Sequence, residues 1–179
     1  MTIFSLASFR ELMIKCDREC EQLKQCATHP EYDFILMNIV FGINHLFDWY
    51  LKDTEIEETR IQECLKLFSP YGSIDEVSKE FRRLYKLLPE FPEVDSNQEI
   101  IRKLCNKAKH FKKVGIERQG KNYTSTFGAS LMQFGGERAV FGGFNHYLYF
   151  VEIGNTDVNL AELVSSQLNK WKEFTGCSV

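Results

Sequence analysis

The stretch Phe34–Leu51, FILMNIVFGINHLFDWYL, is the longest apolar run in the chain, and whether it crosses a membrane or lies inside a folded domain decides the architecture. At about 18 residues it reaches the length of a short transmembrane helix. Asn38, Asn44, His45 and Asp48 interrupt it. Such groups are costly in lipid, whereas a bundle can satisfy them against neighbouring elements. The run is therefore expected to be a central core helix rather than a bilayer span, begun by Pro30, a residue suited to a first helical turn.

Amphipathic segments flank that helix. Ser5–Cys26 carries Phe9, Leu12, Met13, Cys16, Cys20 and Leu23 at three- and four-residue steps, the spacing of one helical face. Thr54–Phe68 sets Ile56, Ile61, Leu65 and Phe68 among acids and ends at the turn signal SPYG. Ser73–Leu88 opens with Ser73 three residues before Glu76, a capping-box spacing, and stops at Pro89, so it is expected to form a fourth helix. After the connector PEFPEVDS, a fifth helix is expected over residues 97–113.

The character changes after Gly115. Tyr123–Gly154 is rich in aromatic and β-branched residues and in paired glycines, which predicts two or three short antiparallel strands. Turns are expected at Gly135-Gly136-Glu137-Arg138 and at Gly154-Asn155. Asn159–Phe174 predicts a last helix with Leu160, Leu163, Val164, Leu168 and Trp171 inward. The fold class is α+β, in one domain: a bundle of about five helices over 1–114, a small antiparallel β-hairpin region over 115–155, and a C-terminal helix over 156–179. At 179 residues and 44% hydrophobic content, the chain is long and apolar enough for one continuous core.

The six cysteines do not read as a disulfide framework, because no secretory leader is apparent and the core makes covalent staples unnecessary. A reducing, cytoplasmic setting is expected. Cys16 and Cys20 lack a second cysteine or histidine pair at zinc-ligand spacing, so neither a metal nor another cofactor is expected. The glycine pairs 135–136 and 142–143 precede no helix carrying the lysine and hydroxyl of a phosphate loop.

Net charge is only −3 but unevenly placed. Between Arg102 and Lys121 stand eight basic residues and one acid, Glu117, so this stretch carries about +7 and the remainder roughly −10. Such a division attracts a polyanion to one side of the protein. Its centre is CNKAKHFKK, residues 105–113. At about 100° per residue, with Ile101 at zero, Leu104, Cys105, Ala108 and Phe111 fall between about −80° and +40°. Arg102, Lys103, Asn106, Lys109, His110 and Lys113 fall between about 80° and 200° on the same map.

His110 is thus expected outside the core, with Asn106 one turn before it on a common face. Either this is an idle solvated face or a working one. In a working site His110 would exchange the proton of a 2′-hydroxyl that attacks the adjacent phosphate, with Asn106 orienting it or contacting the phosphate. Arg102, Lys103, Lys109 and Lys113 would neutralise phosphate charge without a metal. His45 and Asp48, three residues apart on the apolar helix, are supporting candidates, read either as a structural pair or as groups orienting an imidazole.

The segment resembles the HEPN domain family, helical bundles marked by an arginine, four to six variable residues and a histidine, often with a polar residue directly after the arginine. Asn106 and His110 in CNKAKH match the polar residue and the histidine, while Cys105 stands where the pattern has arginine. Arg102 lies too far from His110 for the usual gap; Lys103 fits the gap but not the residue type. HLFDW, residues 45–49, resembles apolar helices paired with an N-x-x-K-H helix in uncharacterised prokaryotic and phage proteins. What the resemblance implies is a metal-independent endoribonuclease of toxin or phage-defence type, with two protomers bringing their histidines into one cleft and an antitoxin or other protein as partner. The alternative expectation is a non-catalytic module that binds a nucleotide, RNA or a protein.

Overall fold

The computed structural model describes residues 6–26, 30–109, 122–125, 144–147, 149–153 and 156–177. His110 and Lys113, and the four glycines at 135–136 and 142–143, lie outside the described residues.

Helix α1 (Phe9–Gln25) begins at a capping box: the Ser8 Oγ accepts from the Glu11 N–H at 3.3 Å, and the Ser8 N–H donates to Glu11 Oε2 at 3.0 Å. Two amide groups that have no partner within the helix are satisfied in this way. Helix α2 (Glu31–Lys52) follows Pro30, which sits at the N-cap position. By length and composition α2 is apolar enough to cross a membrane, and half of its apolar window is buried inside the protein. Its buried residues include Leu36, Ile39, Val40, Ile43, Leu46, Phe47 and Tyr50, so it packs as the axis of the bundle. Helix α1 lies along it so closely that a Cβ at Gly42 would overlap the Cys16 Sγ.

Helix α3 (Glu58–Phe68) contributes Cys64, Leu65 and Phe68 to the core. The expected helix over 73–88 is reduced to one turn, α4 (Arg82–Tyr85), within a series of turns. Val77, Phe81, Tyr85 and Leu88 are nonetheless all buried. Continuity fails because Arg82 donates from Nε to the Val77 carbonyl at 3.0 Å and from Nη2 to the Asp75 carbonyl at 3.2 Å. Those carbonyls would otherwise serve the helical ladder. Val77, Phe81, Leu84, Leu87 and Leu88 instead donate their N–H groups three residues back.

Helix α5 (Ser96–Lys109) starts on Asp95, whose Oδ1 accepts from the N–H groups of Asn97 and Gln98 at 3.1 and 3.4 Å. Four short strands follow, β1 (Asn122–Ser125), β2 (Phe144–Tyr147), β3 (Phe150–Ile153) and β4 (Thr156–Asn159). They form two antiparallel ladders, β1 with β2 in the register Tyr123 to His146, and β3 with β4 in the register Val151 to Val158. Helix α6 (Leu160–Thr175) is capped by the Asn159 Oδ1, which accepts from the Ala161 N–H at 2.9 Å, and ends at Gly176 in the left-handed conformation. It returns to the bundle, where Trp171 stacks on Phe68 with ring centroids 4.0 Å apart. Buried residues of α1, α2, α3, α5 and α6 join in one hydrophobic cluster, giving the α+β, bundle-dominated class expected.

Candidate functional site

Helix α5 sorts its residues as its periodicity requires. Ile101, Leu104 and Cys105 are buried, whereas Lys103 and Asn106 are exposed. Cys105, the position at which the family pattern has arginine, therefore belongs to the core face. A guanidinium at that point of the helix would have to be desolvated, which is costly unless it is paired. Lys103 forms an i, i+4 pair with Glu99 at 2.7 Å, a surface contact of small energy that leaves its ammonium open to other partners. Lys109 closes the helix.

Arg102 is placed differently from its neighbours. Its guanidinium lies 4.7 Å from the centroid of the Tyr71 ring, and its Nη2 donates to Glu76 Oε2 at 3.2 Å. The side chain is 22% exposed, and its Nε is buried without a hydrogen-bond partner. Tyr71 lies in the loop after α3 and is 8% exposed. Burial raises its phenol pKa, the Asp48 and Glu76 carboxylates push it further, and the Arg102 guanidinium acts against them. Tyr71 thus packs against Arg102 of α5 and lies within the field of Asp48 on α2.

Asp48 in turn faces His45, with Nδ1 and Oδ2 3.8 Å apart, too long for a hydrogen bond but close enough for an imidazolium to be attracted. His45 is exposed and Asp48 half-buried. One turn further, Lys52 pairs with Glu80 at 3.2 Å and lies over the Phe81 ring. The structure pairs Arg102 with two residues that the sequence does not single out as a site, Tyr71 and Glu76, and sets His45 beside Asp48 on α2. Glu76 had been read only as a capping residue, and nothing in the local sequence marks it as the partner of a residue 26 positions away.

A second polar cluster lies where α5 begins. Asp95 Oδ2 accepts from Lys170 Nζ at 2.7 Å and from Gln167 Nε2 at 3.0 Å, while Gln167 also donates to Gln98 Oε1 at 2.9 Å. Gln98 and Gln167 are fully buried. An open cleft of about 410 Å³ adjoins the cluster, lined by Lys66, Glu93, Asp95, Asn97 and Lys170 among others. Lys170 is occupied there by Asp95 and by the Leu67 carbonyl at 2.6 Å, so the cluster reads as a tie between α5, α3 and α6.

Cys16, Cys20 and Cys64 are not activated nucleophiles: burial pushes the Cys16 thiol up to about 12 and the Cys20 thiol up to about 11, and raises Cys64 as well. Among the described residues no group of three or more His, Cys, Asp or Glu could hold a metal ion. No protein-family model, no curated protein and no solved structure matches the chain.

Proposed function

We propose that the chain is an RNA-binding protein that takes the phosphate backbone along the outward face of α5 and the basic run that follows it in the sequence. The observation that supports this most is the orientation of α5: Ile101, Leu104 and Cys105 are buried while Lys103 and Asn106 are exposed. The stretch of about +7 in an otherwise acidic chain thus begins on a helix whose residues Lys103 and Asn106 are turned away from the core. Binding without chemistry is the reading the geometry favours, because Cys105 is buried where the HEPN pattern has arginine and Arg102 is engaged by Glu76.

Endoribonuclease activity of the HEPN-like kind is the second reading, supported by the exposed Asn106 one turn before His110. His110 would act as general acid or base, with Arg102, Lys109 and Lys113 stabilising charge on the phosphate. Labelled single-stranded RNA incubated with the protein in EDTA tests both readings. Retention that weakens steeply with salt, and weakens further in Lys103→Glu and Lys109→Glu, is the expected result. Salt-independent retention, or none by the unmodified protein and by Glu76→Gln alike, removes the RNA proposal. New cyclic-phosphate ends that vanish in His110→Ala would establish cleavage in addition.

A further inference from the structure

We propose that Glu76 is an internal competitor for the phosphate contact of Arg102, so that the turn-rich segment between α3 and α5 sets how tightly α5 holds an RNA backbone. The inference rests on the RNA-binding reading above and adds a residue and a mechanism to it.

Three features of the contact carry it. First, Arg102, a cation on the outward side of α5, is held over the Tyr71 ring at 4.7 Å. Stacking on an aromatic ring fixes the plane of a guanidinium and so its fork of donors, the geometry that phosphate recognition uses. Second, Glu76 reaches Arg102 through a single 3.2 Å bond from Nη2 and is itself 46% exposed. A paired carboxylate would normally form two parallel bonds to a guanidinium, so this partner satisfies only part of the donor set. Third, the Arg102 Nε is buried and unpaired, so the interaction with Glu76 leaves the guanidinium under-satisfied.

Glu76 also has no helix to hold it in place. It sits in the turns of 73–81, where Arg82 has captured the carbonyls of Asp75 and Val77, and its own N–H reaches the Ser73 carbonyl at 3.2 Å. Rotation of one half-exposed side chain is therefore enough to release Arg102, with no change in the bundle. Displacing Glu76 removes the carboxylate that now pairs with Arg102 and leaves the Nη2 donor open to a phosphate oxygen.

A double-mutant cycle on the full chain tests this, with fluorescence polarisation of a labelled single-stranded RNA oligonucleotide measured across a salt series. Glu76→Gln keeps the shape of the side chain and removes its charge. It is expected to tighten binding about three- to ten-fold and to steepen the salt slope by about one. The gain is expected to disappear when Arg102→Gln is added, because a contact through Arg102 makes the two substitutions non-additive. Should Arg102→Gln fold poorly for want of its Tyr71 contact, Arg102→Lys takes its place, and a smaller gain from Glu76→Gln in that background supports the proposal. RNA binding by Glu76→Gln but not by the unmodified protein also supports it. If the unmodified protein binds RNA and Glu76→Gln binds equally or more weakly, or gains as much without Arg102, the competition is overturned while the RNA-binding reading stands. Absence of binding in every variant overturns both.

Discussion

Gly42 shows how much of this fold rests on one absent side chain. A methyl group there would overlap the Sγ of Cys16, which is fully buried and has little room to turn aside. The contact sets the spacing between α1 and α2, and glycine permits backbones to approach where any Cβ would hold them apart. Gly42→Ala gains helix propensity but forces overpacking, which costs about 1–3 kcal/mol in a well-filled core. Removing the opposing sulfur should return much of that loss. We expect Gly42→Ala to lower the urea midpoint, and Cys16→Ala added to it to raise the midpoint again. Additive loss in the double variant would mean that the two residues do not meet.

The α5 helix is an element whose placement depends on a buried polar tie as much as on its apolar face. Asp95 caps its first turn, and its other carboxylate oxygen binds Lys170 and Gln167 of α6. Its side chain is only 9% exposed, so losing it strands donors from two helices in a region of poor solvation. Asp95→Ala is expected to cost about 3 kcal/mol by urea denaturation, the sum of a lost cap and a broken half-buried pair. Asp95→Asn retains an acceptor for the cap and should cost about 1 kcal/mol. Equal losses in the two variants would show that the cap contributes nothing. The element scale is also where sequence and structure part company. Periodicity located α1, α2, α5 and α6 closely, because each has an apolar stripe long enough to outweigh local competition. A helix over 73–88, expected from the Ser73–Glu76 spacing and Pro89, is overstated: the Arg82 guanidinium bonds two carbonyls of the preceding turns, while Val77, Phe81, Tyr85 and Leu88 still reach the core. The same blindness to long-range pairing explains the site. Arg102 was recognisable as an exposed-side cation, but its pairing with Glu76 and Tyr71 depends on how the loop after α3 folds back onto α5.

At the scale of the whole molecule, the arrangement in sequence, helices then strands then a helix, does not translate into separable parts. Helix α6 supplies Leu163, Val164, Leu168 and Trp171 to the core that α1, α2, α3 and α5 would otherwise leave open. Trp171 is fully buried, stacked on Phe68 and within 5.6 Å of the Tyr50 ring, so one side chain joins α6 to both α3 and α2. Lys172 pairs with Asp17 on α1, and Arg60 of α3 donates to the Phe174 carbonyl at 2.5 Å, tying the last turns of α6 to α1 and again to α3. The consequence is that the helices before β1 cannot complete a core alone, even though they contain most of the buried residues. A chain ended after Asn159 is therefore expected to lose its cooperative unfolding transition, with apolar surface left exposed and dye binding typical of an incompletely packed state. The full chain with Trp171→Ala should stay folded but lose about 3–5 kcal/mol, the range for emptying a large aromatic site. Trp171→Phe should cost clearly less than Trp171→Ala. It keeps the ring against Phe68, and the indole N–H it removes is buried with no partner, so no hydrogen bond is forfeited. Calorimetry of these three proteins separates a keystone from a mere cover: a truncated chain that still melts cooperatively near the temperature of the full one would show that α6 only lies on a core already closed.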